Sequence, residues 1–318
     1  MIRTPFLSQN RGDPMNEMNQ SQEIILFIDR LRADRNITQE DFLHGVVSMR
    51  QYRRYLRGDS SMSYSLIEQL AKRLGFDSEM IILELETEKL KQTQQISNLY
   101  NLVVSRSLEK AYQQFQTIDY DRIISEKDQL LYNHSVNMFN FFSGKVNQKL
   151  TIERTKDLIE LPKLLKKKAM SSSELLTLVS FFFFDEYKEI NIIAEKLASY
   201  IENNITIVTG HNIKVVTLVL EELSRYFSIS ENYEKMLYYA EEGIKYANTV
   251  RSYYLLETLY FFAAAASFEL DLIKQRNDYL KKCYIVLMIE GSEVKMQRYR
   301  DNFKQNFDVD IKDLFEFV

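Results

Sequence analysis

Residues 48 to 58, Ser48-Met49-Arg50-Gln51-Tyr52-Arg53-Arg54-Tyr55-Leu56-Arg57-Gly58, put four guanidinium groups and one carboxamide into a single short helix. Arginine donates paired hydrogen bonds to guanine edges, glutamine pairs with adenine, and both bond phosphate oxygens. With Tyr52, Tyr55 and Leu56 turned to a core, Arg50, Gln51, Arg53 and Arg54 fall on the outward face, while Ser48 is placed to cap the helix and Gly58 to stop it. Charge alone also describes a solvated basic face, so the neighbouring elements must decide. Net charge does not help: the chain stands at -4, and nine basic against eight acidic side chains leave residues 21 to 78 at only +1.

Other chemistries lack their residues. There is no glycine-rich phosphate loop, no nucleophile elbow and no paired-histidine metal motif; His44, His134 and His211 lie far apart, and Cys283 is the only cysteine. The carboxylate pairs Glu221-Glu222 and Glu241-Glu242 are sequence neighbours, which diverge on a helix. No catalytic residue, metal or cofactor is expected.

The elements that would position the arginines are legible. Apolar residues recur at Ile24, Phe27, Ile28 and Leu31, at Phe42 and Leu43, at Tyr52, Tyr55 and Leu56, and at Leu66, Ile67, Leu70, Ala71 and Leu74, which predicts four short helices in one bundle. Thr38 with Asp41 has a capping-box pattern, Ser63 caps the fourth helix and Gly75 ends it. Residues 77–95 contain neither Pro nor Gly and read as a linker helix. With 8 Gly and 3 Pro in 318 residues, the rest must be long helices with short connections.

In that body, Glu109 to Phe115 and Tyr233 to Ala240 each read like the second helix of a tetratricopeptide-type pair, with Leu220, Leu223 and Phe227 before the later one and Gly243 as its small packing residue. Leu259 to Ser267 with Tyr279 to Leu287 reads as a further degenerate pair. The predicted fold is all-α: a disordered extension at 1–20, a helix-turn-helix domain at 21–76, the linker helix at 77–95, and a tetratricopeptide-like solenoid for ligand sensing and dimerisation at 96–318.

Residues 22 to 76 resemble the helix-turn-helix domain of the Xre and phage-repressor class, through Thr38-Gln39-Glu40-Asp41-Phe42, the Ser48-capped third helix, Gly58, and Leu66 to Gly75. The turn Leu43-His44-Gly45-Val46-Val47 is about a residue short, and Arg57 stands where an acidic residue is usual. The resemblance implies a DNA-binding set of Gln39, Ser48, Arg50, Gln51, Arg53, Arg54 and Arg57, in which Arg50, Gln51 and Arg54 read base edges and Gln39, Arg53 and Arg57 steady the DNA backbone. With its repeat body, the chain resembles the peptide-pheromone regulators of the Rgg, PlcR and PrgX group of Gram-positive bacteria. That implies a cytoplasmic homodimer which binds a double-stranded operator and is controlled by a short signalling peptide in the repeats. The alternative is a protein-binding adaptor whose solenoid grips a partner and whose head only docks.

Asn137, Asn140, Tyr187 and Tyr226 are candidates to hold a peptide backbone, since an extended peptide leaves its own N–H and C=O groups unpaired. The run Phe181 to Phe184 and the stretch Tyr253 to Ala266 read as helices apolar all round, better suited to the core than to a groove. Lys163 to Lys168 reads as a solvated charge run and Cys283 as a core thiol. The longest apolar run, Leu178 to Phe184, is interrupted by Ser180 and far too short for a bilayer, so no membrane partner is expected.

Overall fold

The structure, a computed structural model, describes residues 20–185, 187–204 and 212–315; the extension expected at 1–20 lies almost wholly outside them. No strand occurs among the described residues, and no helix there is long and apolar enough to cross a membrane. The chain forms two compact units, divided between residues 159 and 160.

The first unit holds α1 (Gln20–Asp34), α2 (Gln39–Leu43), α3 (Met49–Leu56), α4 (Tyr64–Arg73), α5 (Ser78–Val104), α6 (Leu108–Thr117), α7 (Glu126–Phe142) and α8 (Gln148–Leu158). The helix starts follow side-chain chemistry. Thr38, Ser48 and Ser63 each accept the backbone N–H three residues on, at 3.1, 3.2 and 3.3 Å, which satisfies donors that the first turn leaves orphaned. The capping box is half formed, because Asp41 takes the Thr38 hydroxyl at 2.7 Å. Gly58 closes α3 at φ +79°, and a Cβ there would lie 2.6 Å from the Gln22 side chain, which itself donates to the Leu56 carbonyl at 3.2 Å.

The head does not close its core at Phe76. Ile81 and Leu85 of α5 and Ile124 from the α6–α7 connection pack into the same buried cluster as Ile25, Ile28, Phe42 and Tyr52. The linker helix expected at 77–95 runs on to Val104, since nothing before the left-handed Arg106 (φ 57°) breaks it. At 27 residues it is about 40 Å long. Residues 119–124 form a strap across α1 and α5. The Arg122 carbonyl accepts from Arg30 at 2.9 Å and from Gln92 at 3.0 Å, the Arg122 guanidinium meets Asp34 at 3.0 Å, and the Ile124 N–H donates to Gln92 at 3.1 Å.

The second unit holds α9 (Leu161–Leu164), α10 (Ser172–Val179), α11 (Ile190–Asn204), α12 (Asn212–Ile229), α13 (Tyr233–Thr249), α14 (Leu256–Glu269), α15 (Ile273–Glu290), α16 (Glu293–Phe307) and α17 (Ile311–Phe315). The pairs α12/α13 and α14/α15 are the repeat-like hairpins expected from the sequence. At Gly243 a Cβ would come within 2.7 Å of the Leu259 side chain, so a larger residue here would force Leu259 of α14 to shift. Leu256, Leu259, Tyr260, Ala263, Ala264 and Ala266 of α14 are buried. The phenylalanine run departs from the predicted helix. The α-helix ends at Val179 and tightens into a 3-10 turn at Ser180–Phe183, where the Ser180 hydroxyl bonds the Thr177 carbonyl at 2.6 Å and competes with the helical ladder. Phe181 and Phe184 are nonetheless buried.

Candidate nucleic-acid interface

The geometry of α3 separates its two faces. Tyr52 is wholly buried and meets Phe42 edge-on, with ring centroids 6.5 Å apart, while Tyr55 and Leu56 pack partly buried against the same cluster. Ser48, Arg50, Arg53, Arg54 and Arg57 are exposed. Arg50 and Arg53 form no ion pair with a described residue, so their charge is available to an outside partner. Arg54 reaches Gln51 Oε1 at 3.4 Å, and Gln51 Nε2 donates to Ser60 at 3.1 Å, which draws that carboxamide toward the loop after the helix. Arg57 is held to Asp59 at 2.9 Å, a surface pair of small energetic weight.

Gln39 opens α2, half-buried, and gives one amide N–H to Asp29 at 3.3 Å. The short α2 is held at its other end by Arg73 of α4, which bonds the Asp41 carbonyl at 3.1 Å and the Phe42 carbonyl at 2.6 Å. A cation at orphaned C-terminal carbonyls is the favourable end of the helix dipole. Reading the sequence missed Arg73 and Asp29. A signal for Asp29 existed: a tyrosine at a core position needs a partner for its hydroxyl, and Asp29 with Arg32 is an i,i+3 ion pair.

The peptide candidates divide between the units. Asn137 is buried between α7 and α8 and donates from Nδ2 to the Thr151 carbonyl at 3.0 Å and to Thr155 at 2.9 Å. It ties two helices together through its amide N–H groups, while its Oδ1 has no hydrogen-bond partner among the described residues; periodicity could not supply this placement, because both its neighbours lie on another helix. Asn140 is half-buried at the end of α7, where its carbonyl accepts the turn N–H groups of Lys145 and Val146. Tyr187 is buried beside Phe181, with centroids 4.9 Å apart, and Tyr226 sits half-buried against Phe182 at 5.8 Å. The 3-10 turn thus supplies the ring beside each tyrosine.

Several of the remaining charged features have local partners. Lys163 pairs with Glu160 and Lys167 with Glu174, at 2.9 and 2.8 Å. Glu241 accepts from Tyr279 at 2.6 Å while Glu242 meets Lys245, so that carboxylate pair diverges. Burial and the neighbouring Glu222 raise the Glu221 carboxyl above the ordinary carboxylate range, so these two adjacent groups do interact. Burial pushes the Cys283 thiol up, and it donates to the Glu257 carbonyl. No cluster of metal-ligating side chains occurs among the described residues.

A capped, outward-facing arginine helix in a small bundle, followed by helical hairpins, defines an all-α helix-turn-helix fold with a repeat-like body. Among solved structures it is the fold of PlcR from Bacillus thuringiensis in complex with the peptide PapR7 and DNA, with 13% identity over 88% of this chain and 98% of that one and a TM-score of 0.53. PlcR in its apo form matches at 15% identity over 90% and 99%, TM-score 0.54. ComR from S. thermophilus, in complex with DNA and its signalling peptide ComS, matches at 14% over 89% and 99%, TM-score 0.53. No family model and no curated protein sequence matches the chain.

Proposed function

We propose that the chain is a cytoplasmic, non-enzymatic transcription regulator that binds duplex DNA as a homodimer through α3 and responds to a short signalling peptide held by its repeats. The observation that carries this reading is the exposed, Ser48-capped face of Arg50, Arg53 and Arg54, whose opposite side is anchored by Tyr52. Arg50, Gln51 and Arg54 read base edges; Gln39, Ser48, Arg53 and Arg57 hold the phosphate backbone. Support for the peptide comes from fold: PlcR and ComR, each solved with DNA and a peptide, share this architecture. Asn137, Asn140, Tyr187 and Tyr226 are the candidates for contact with it.

The test is selection of duplexes from a random-sequence pool, followed by titration of the selected duplex over a salt series. A steep fall of affinity with salt and a loss of sequence preference in Arg50→Ala and Arg54→Ala are expected. No DNA affinity at low salt overturns the reading in favour of a protein-binding adaptor, to which the near-neutral charge of the head is suited.

A further inference from the structure

One carboxylate oxygen organises the whole helix-turn-helix. Asp29 Oδ1 accepts from Arg32 Nε on its own helix at 2.8 Å, from the Tyr52 hydroxyl on α3 at 2.9 Å, and from Gln39 Nε2 on α2 at 3.3 Å. Arg32 in turn donates to the Ile37 carbonyl, one residue before the α2 cap. Asp29 therefore meets α3 through Tyr52, the one α3 side chain that is wholly buried.

Two consequences follow from this geometry. The hydroxyl bond fixes the rotation of α3 about its own axis, and with side chains reaching about 5–6 Å from that axis a turn of about 10° displaces them by about 1 Å, enough to spoil a paired hydrogen bond. The Gln39 carboxamide has two N–H groups; Asp29 takes one, which fixes the plane of the amide and leaves the second for a phosphate oxygen. The Arg32 guanidinium beside Asp29 offsets its charge, so a carboxylate can stand this close to an anion-binding face.

We infer that Asp29 is a positioning residue for sequence reading: its carboxylate sets the rotation of α3 through Tyr52 and orients Gln39 for the DNA backbone. This rests on the DNA-binding reading above. Discrimination between sequences depends on Asp29, whereas charge-driven affinity for any duplex does not, because the arginines keep their charge whatever the rotation of α3.

The test compares full-length wild type, Asp29→Ala, Asp29→Asn, Tyr52→Phe and the double variant Asp29→Ala/Tyr52→Phe on a duplex selected by the wild type and on a scrambled one, with thermal unfolding in parallel. The ratio of the two affinities is expected to fall about tenfold in Asp29→Ala and in Tyr52→Phe, with scrambled-duplex binding held within about twofold. The double variant should be no worse than Asp29→Ala alone, because both changes remove one shared bond. Asp29→Asn keeps an acceptor oxygen in place and should recover most of the ratio. A folded Asp29→Ala with the wild-type ratio, an equal loss on both duplexes, or additive losses in the double variant overturns the assignment. Should Asp29→Ala fail to fold, Tyr52→Phe, which deletes a single oxygen, decides the matter by the same ratio. A wild type that selects no duplex overturns the DNA reading itself, an outcome distinct from all of these.

Discussion

Helices α3 and α14 put their side chains to opposite uses. α3 buries Tyr52 completely and leaves Arg50, Arg53 and Arg54 in solvent, whereas α14 is buried along most of its length, and one of its two acids, Glu257, is buried against Lys295. The contrast teaches where each helix finds its partner. The partners of α14 are α12, α13, α15 and α16 of the same chain, so its side chains are consumed by folding. The exposed arginines of α3 make at most surface contacts within the chain, with Gln51 and Asp59, and the function proposed above gives them a partner outside it.

The largest effect expected from this contrast is in the body. Leu259→Ala removes a fully buried side chain that closes on Gly243 and should cost about 3–5 kcal/mol of unfolding free energy, read by chemical denaturation. A loss under about 1 kcal/mol would mean that α13 and α14 are not tightly packed. Next comes a polar group that sits in the core as though it belonged to α14. His134 on α7 is wholly buried, its ring 6.0 Å from Tyr100, and neither nitrogen has a hydrogen-bond partner among the described residues. Burial lowers its pKa from 6.5 to about 3. The unfolded chain therefore takes up a proton below pH 6.5 that the folded one refuses, and stability falls as pH drops from 6.5 toward 3, by about 1.4 kcal/mol per pH unit. Denaturation at pH 6.5 and 4.5 should show His134→Phe losing about 2–3 kcal/mol less than wild type over that interval; parallel pH profiles would refute it.

Smaller effects belong to the head. Arg50→Ala should move unfolding free energy by no more than about 0.5 kcal/mol yet weaken binding to a selected duplex by about 1–3 kcal/mol, a split that calorimetry and titration read separately. Smallest is Arg57→Ala, which breaks only the exposed pair with Asp59; its effect on thermal stability should fall within about 0.5 kcal/mol. A larger effect would make the pair part of the α3 stop.

The sequence was readable wherever a local rule acted. Ser48 and Ser63 cap because hydroxyls seek first-turn amides, Gly58 ends α3 because its φ is positive, and Gly243 permits a close helix contact. The misses are long-range or competitive. The bonds of Asn137 could not be read because its partners Thr151 and Thr155 lie on the next helix. Ser180 bent the phenylalanine run by bonding a carbonyl three residues back, a choice that hydrophobic periodicity ignores. The strap was invisible because Arg30 and Arg122 are separated by 92 positions and neither carries a local motif. Of the interface, the arginine face could be named from spacing; the Asp29 bonds that orient it could not.

The burial of Ile124 among head residues also bears on how such a molecule can be recombined. A gene fusion that cuts after Phe76 would take the arginine helix but abandon Ile81, Leu85 and Ile124, leaving an apolar hole on the transplanted piece and orphaned side chains on the remainder. A cut between residues 159 and 160 keeps the strap, α5 and the arginine helix on one exchangeable cassette. Chimeras that trade operator preference between repeat bodies are therefore expected to express and fold from the later junction and to aggregate from the earlier one.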